Sequence, residues 1–87
     1  MEHDAVDAAI RDVLRAHANV DPDLLGEGDD LYLAGMTSFA SVNVMLALED
    51  RFDVEFLDSM LNRTTFSTIG HIAAALHELL GERTQVG

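Results

Sequence analysis

The chain contains no cysteine and no lysine, and each omission removes whole classes of chemistry. Without cysteine there is no disulfide framework, no thiolate metal site and no thiol nucleophile of the chain's own, so any thiol chemistry needs an added group. Without lysine the basic complement is five arginines against sixteen acids, for a net charge of −11 and a pI near 4.3. That balance argues against nucleic acid or an anionic membrane as partner and fits basic protein surfaces better. No apolar run approaches the ~20 residues of a membrane span, and Met1-Glu2-His3-Asp4 lacks the apolar core of a signal peptide. A cytoplasmic location is therefore expected. Length is the further shortage. A domain of 87 residues buries only about 60–65% of its unfolded-chain surface, too little to enclose a large catalytic cleft, so a self-sufficient enzyme is not expected. Hydrophobic residues still make up 48% of the chain, enough for a packed core that leaves the charge outside and argues against global disorder.

What is present reads as helix. Val6, Ile10, Val13, Leu14 and His17 recur at helical spacing and predict an amphipathic helix from about Asp4 to Ala18, with Asp4 as its cap. Asn19 to Ala34 carries Asp21-Pro22, Gly26, Gly28 and Asp29-Asp30, turn-formers that predict a long ordered loop held down by Leu24, Leu25, Leu31 and Leu33. A second helix is expected from Thr37 or Ser38 to about Phe52, with Phe39, Val42, Met45, Leu46 and Leu48 as a broad apolar face. Leu57 to Asn62 suggests a short third helix after the extended Val54-Glu55-Phe56. Ser67 or Thr68 opens a fourth, with Ile69, Ile72, Ala73, Leu76, Leu79 and Leu80 on one face and Gly81 as its stop. The expectation is an all-α, four-helix bundle of three longer helices and one short one, with a long loop after the first. It forms one domain over 1–87, ordered from about 4 to 81, with 82–87 a flexible tail.

Ser38 is the residue that singles itself out. In Ala34-Gly35-Met36-Thr37-Ser38-Phe39 a hydroxyl stands where loop becomes helix, and the free N–H groups and positive dipole end of that helix favour a phosphate there. Other chemistry fares worse. Asp21-x-Asp23-x-Leu25-Gly26 begins like a calcium loop, but Leu25 and Tyr32 stand where oxygen donors are required. His71 and His77 are six apart and face different sides of a helix, so a metal site is not expected. Ser38 lacks a Gly-x-Ser-x-Gly elbow and a placed histidine, which excludes a hydrolase triad.

Leu31-Tyr32-Leu33-Ala34-Gly35-Met36-Thr37-Ser38-Phe39, followed by Met45-Leu46-Ala47-Leu48-Glu49-Asp50-Arg51-Phe52-Asp53-Val54-Glu55-Phe56 and the helix break at Thr65-Phe66-Ser67, resembles the acyl carrier protein family. The resemblance covers most of the chain. It implies that Ser38 carries a covalent 4′-phosphopantetheine, installed from coenzyme A by a phosphopantetheinyl transferase with Mg²⁺. The arm would end in a thiol on which an acyl or aminoacyl group rides as a thioester, brought to partner active sites at high effective concentration. The carrier itself would catalyse nothing. Departures from the common pattern are Thr37 in place of aspartate, Phe39 in place of leucine, Asn43 at an often acidic position, and Arg51 within the acidic run. They speak against a simple role with the general fatty-acid synthase. Gly35 to Val42 together with Leu61-Asn62-Arg63-Thr64-Thr65-Phe66 is also similar to small stand-alone carriers loaded with an amino acid by truncated relatives of class II aminoacyl-tRNA synthetases. The partners so implied are the transferase, an acyl- or aminoacyl-loading ligase and a downstream transferase, with the chain acting as a monomer.

Plainer readings stand beside these. A lone serine at a helix start is usually an N-cap. Gly35 relaxes the turn before Ser38; Met36, Thr37 and Phe39 flank it, and Met36 and Phe39 would meet the arm or a partner, while Phe39 serves equally well as core. Glu49, Asp50, Asp53, Glu55 and Asp58 suit an acidic face for a basic enzyme surface, or simply a solvated helix end. Arg51 and Arg63 either select partners by interrupting that field or pair with nearby acids. The alternative from another class is an acidic helical adaptor that binds a basic partner and is never modified; a cation-binding regulator is a distant third.

Overall fold

A computed structural model describes residues 2–85, with side-chain surroundings for residues 5–81. Three α-helices, α1 (Glu2–His17), α2 (Ser38–Phe52) and α3 (Ile69–Gln85), are joined by two irregular segments, each containing a 3₁₀ turn, Pro22–Leu24 and Asp58–Met60. No strand occurs among the described residues. Val6, Ala9, Ile10, Val13 and Leu14 form the buried stripe of α1, which packs against both other helices. His17 does not extend it. It is exposed, and Ala18 and Val20 continue the buried side after the chain turns at Asn19, whose φ of 59° ends the helix. Asp4 lies within α1 and is not its cap.

The long connection after α1 is ordered by side chains that sequence periodicity does not weigh. Asp21 accepts the Asp23 N–H and starts the first 3₁₀ turn. Arg11, reaching out from α1, pairs with Asp7 at 2.9 Å and donates to the carbonyls of Pro22 and Leu25. Asp29 accepts the Gly26 N–H, and Asp30 those of Tyr32 and Leu33, so both acids serve local turns. Two of the four leucines hold the loop: Leu31 is fully buried and Leu25 packs on the core, whereas Leu24 and Leu33 are 80% and 87% exposed. Replacing Arg11 with alanine is expected to lower the unfolding free energy by about 1–3 kcal/mol, since three polar contacts to a half-buried guanidinium are lost. Arg15→Ala, which removes pairs to Asp12 and Asp23 from a 51%-exposed side chain, should cost about 0–0.5 kcal/mol. Urea melts of the two variants check the contrast.

Two further differences concern helices. The expected short third helix is only the 3₁₀ turn Asp58–Met60, because Met60 alone of Leu57, Met60 and Leu61 reaches the core, too little to offset helix nucleation. Gly81 does not stop the last helix, which runs on to Gln85; an interior glycine costs only about 1 kcal/mol relative to alanine, and the residues after it tolerate helix. Of the expected tail 82–87, residues 82–85 are therefore helical and residues 86–87 lie outside those described, as does Met1.

Candidate functional site

The junction that presents Ser38 is built from its backbone upward. The turn beginning at Leu31 closes with Met36 N–H on the Leu31 carbonyl and Gly35 N–H on that of Tyr32, an arrangement that puts Gly35 at φ 125°, open to glycine at little cost. Leu31 N–H donates to the Ser67 carbonyl at 2.7 Å and Gly70 N–H to that of Glu27 at 2.9 Å, tying the loop to the entry of α3. Thr37 then caps α2, its Oγ1 accepting the Ala40 N–H at 3.0 Å. Ser38, the first helical residue, is exposed. Its carbonyl accepts the hydroxyl of the buried Ser41 at 2.7 Å, and no acid occupies the first turn.

Ser38 stands on the wall of a largely apolar cleft of about 440 Å³ between α2 and the segment leading to α3. Val42 and Met45 line it from α2, Leu61, Arg63 and Phe66 from the opposite side, and Tyr32 from the loop. The Arg63 guanidinium lies over the Tyr32 ring, 3.8 Å from its centroid. Phe66 in turn meets Phe56 edge-on at 5.3 Å.

The expected site residues divide. Gly35, Thr37, Ser38 and Phe39 are brought together at the surface, and Phe39, 79% exposed, is not core. Met36 is the exception among the flanking residues: at 3% exposure its side chain belongs to the core and is closed to an arm or partner. In the acidic group, the Glu49 carboxylate accepts the Phe56 N–H at 2.9 Å, while its carbonyl accepts those of Asp53 and Val54, so it finishes α2. Asp53 takes the left-handed C-cap position, φ 55° and ψ 50°. Arg51 pairs with Asp12 of α1 at 3.6 Å. Asp50, Asp53, Glu55 and Asp58 are exposed.

The face of α2 expected to be buried is split. Ser41, Val44 and Leu48 turn inward, while Phe39, Val42 and Leu46 stand 79%, 49% and 52% exposed. Positions 39, 42, 46 and 50 share one face of the helix, apolar near Ser38 and acidic at its far end. The signal was present in the sequence: α2 carries apolar residues at more positions than one face holds, and in a three-helix domain the excess must reach solvent. Tyr32 as the platform for Arg63 had no such signal.

Comparison with known proteins bears on what this junction does. The family described as a phosphopantetheine attachment site matches residues 6–76. The chain is 42% identical over 66 residues to the aminoacyl carrier protein of Agrobacterium fabrum, a match spanning 74% of this chain and 80% of that protein. Among solved structures it is similar to a chain of the complex between an engineered Bradyrhizobium japonicum glycine:[carrier protein] ligase and a carrier protein from Agrobacterium tumefaciens with ATP. The TM-score is 0.79 and the identity 38%, over 85% of this chain and 99% of that one. A solution structure from Agrobacterium tumefaciens superposes with a TM-score of 0.72 at 37% identity, over 91% of this chain and 98% of that one.

Proposed function

Because the chain belongs to the phosphopantetheine-attachment family of carrier proteins, we propose that Ser38 bears the arm and that the cargo is a small amino acid delivered by a glycine-type ligase. The observation that carries this reading is the surface hydroxyl of Ser38 at an acid-free helix start, on the wall of an apolar cleft. The residues fit the group. The first N–H groups of α2 have no partner within the helix, and a phosphodiester is favoured at that positive dipole end. With Thr37 where the commoner pattern has aspartate, no carboxylate stands beside the attachment point in sequence. When bound, phosphopantetheine supplies the thiol that this chain lacks, and with it the thioester.

The chain's own contribution is presentation. The Thr37 cap and the bond from Ser41 to the Ser38 carbonyl fix the backbone of the first turn, which holds the Ser38 hydroxyl oxygen at the surface, open to a transferase. There it bonds to phosphorus, its proton leaves to the transferase, and the nucleotide half of coenzyme A departs. Chemistry on the cargo belongs to partner enzymes.

Docking is assigned to the outer face of α2. Phe39, Val42 and Leu46 supply apolar contact beside the attachment point, and Asp50 with the exposed Asp53, Glu55 and Asp58 supplies the field that speeds encounter. Glu49 and Arg51 are occupied within the fold and contribute less. Leu46→Glu is expected to leave the melt unchanged and to lower kcat/KM for ligase loading about tenfold or more. Asp50→Arg is expected chiefly to slow association and weaken its salt dependence. Equal loading rates for wild type and Leu46→Glu would contradict this face.

The cargo is tested directly. Holo protein incubated with ATP, glycine and a glycine:carrier ligase should gain one glycyl group that neutral hydroxylamine removes, while unmodified protein gains none. Failure with glycine and other small amino acids, alongside charging by a fatty-acyl ligase, would overturn the aminoacyl reading.

A further inference from the structure

Arg63 differs from the other arginines whose side chains are described. Arg11, Arg15 and Arg51 each reach a carboxylate. Arg63, in a chain with sixteen acids, makes no ion pair among the described residues; it is held over the Tyr32 ring on the same cleft that carries Ser38. A guanidinium stacked on an aromatic face keeps its N–H edge available, and that planar edge matches the oxygens of a phosphate. Local charge points the same way. A phosphodiester added to a protein of net charge −11 is repelled by most of the surface, and on this cleft Arg63 is the one lining residue with a fixed positive charge. Tyr32 and Arg63 come from separate segments, the turn that starts at Leu31 and the turns before α3. The bond from Leu31 N–H to the Ser67 carbonyl holds those segments in register.

From this juxtaposition we propose that Arg63, presented by Tyr32, pairs with the phosphodiester of the arm on Ser38 and fixes the root of the arm against the cleft wall. The inference rests on the assignment of Ser38 as the attachment residue. It makes Arg63 a positioning residue whose removal leaves attachment possible and loosens the arm.

The test uses full-length wild type, Arg63→Gln and Arg63→Lys, each compared before and after modification, with conversion verified by intact mass. Tyr32 is the chain's one tyrosine and there is no tryptophan, so intrinsic emission reports this site alone. In wild type, modification should shift the Arg63 Nε–Hε resonance, slow its exchange with water and change Tyr32 emission. Raising salt to about 1 M, where the Debye length is about 3 Å, should reverse much of the change. Arg63→Gln should load fully, keep its helical circular dichroism and show no change in Tyr32 emission on modification; Arg63→Lys should restore part of the response. Unchanged Arg63 signals in a fully modified wild type, or an equal Tyr32 response in Arg63→Gln, would overturn the pairing while leaving Ser38 as the attachment site. A folded wild type that takes up no phosphopantetheine would overturn the assignment of Ser38 and the pairing with it.

Discussion

Ser38→Ala is expected to abolish phosphopantetheine uptake completely under conditions that convert the wild type, and to leave the protein folded. The second half is as informative as the first. The capping hydrogen bond of α2 is made by Thr37, and the contact made by Ser38 within the turn runs through its carbonyl, which alanine retains. Alanine is also the better helix former, so the change in stability should stay within about 0.5 kcal/mol. Thr37→Ala provides the counterpart: it should remain modifiable and lose about 1 kcal/mol, the usual cost of a deleted N-cap. Intact-mass spectrometry and thermal melts of the pair separate a functional serine from a structural one. A Ser38→Ala protein that unfolds, or one that still gains the arm, would contradict the assignment.

A large effect on stability is expected at Leu31. This side chain is fully buried, its N–H bonds to the Ser67 carbonyl, and its own carbonyl accepts the N–H groups of Ala34 and Met36. It therefore joins the loop, the core and the entry of α3 just ahead of Ser38. Leu31→Ala should cost about 2–5 kcal/mol through lost burial and a residual cavity. Against the roughly 5–10 kcal/mol available to a domain of this size, that removes much of the folded-state margin. Leu33→Ala, two residues on and 87% exposed, should change stability by no more than about 0.5 kcal/mol. Urea unfolding distinguishes them, and similar losses for both would mean that the loop is not anchored through Leu31.

The contrast between Leu31 and Leu33 also shows how far the sequence could be read. Periodicity found α1, because Val6, Ile10, Val13 and Leu14 recur on a regular helix and a regular helix keeps them on one side. The start of α2 was legible because a cap residue and a glycine in a left-handed turn have few other uses. Within the loop no period relates one leucine to the next. Each Asp-supported turn resets direction, so which leucines face inward is decided by contacts far along the chain, such as that from Leu31 to Ser67.

The site was legible in the same proportion. A loop-to-helix junction can be read locally, and Gly35, Thr37 and Ser38 lie exposed at it; Phe39, which the sequence left open between core and surface, is exposed beside them. Met36 was misplaced because the turn closing on Leu31 points it inward, which residue type does not reveal. Glu49 looked like a free surface acid because its partner, the Phe56 N–H, lies seven residues on, beyond the reach of helical periodicity. Arg63 and Tyr32 are thirty-one positions apart and meet only because the loop docks on the entry to α3.

The most direct test of the central claim is to locate the modification by peptide mapping. Trypsin cuts after Arg15 and Arg51, so residues 16–51 leave as one peptide containing two of the chain's serines, Ser38 and Ser41. After incubation with coenzyme A, Mg²⁺ and a broad-specificity phosphopantetheinyl transferase, this peptide should carry the full mass gain, and fragmentation should assign it to Ser38. Label on Ser41, Ser59 or Ser67, or none on a folded sample, would contradict the account; the last result would favour an acidic helical adaptor that is never modified.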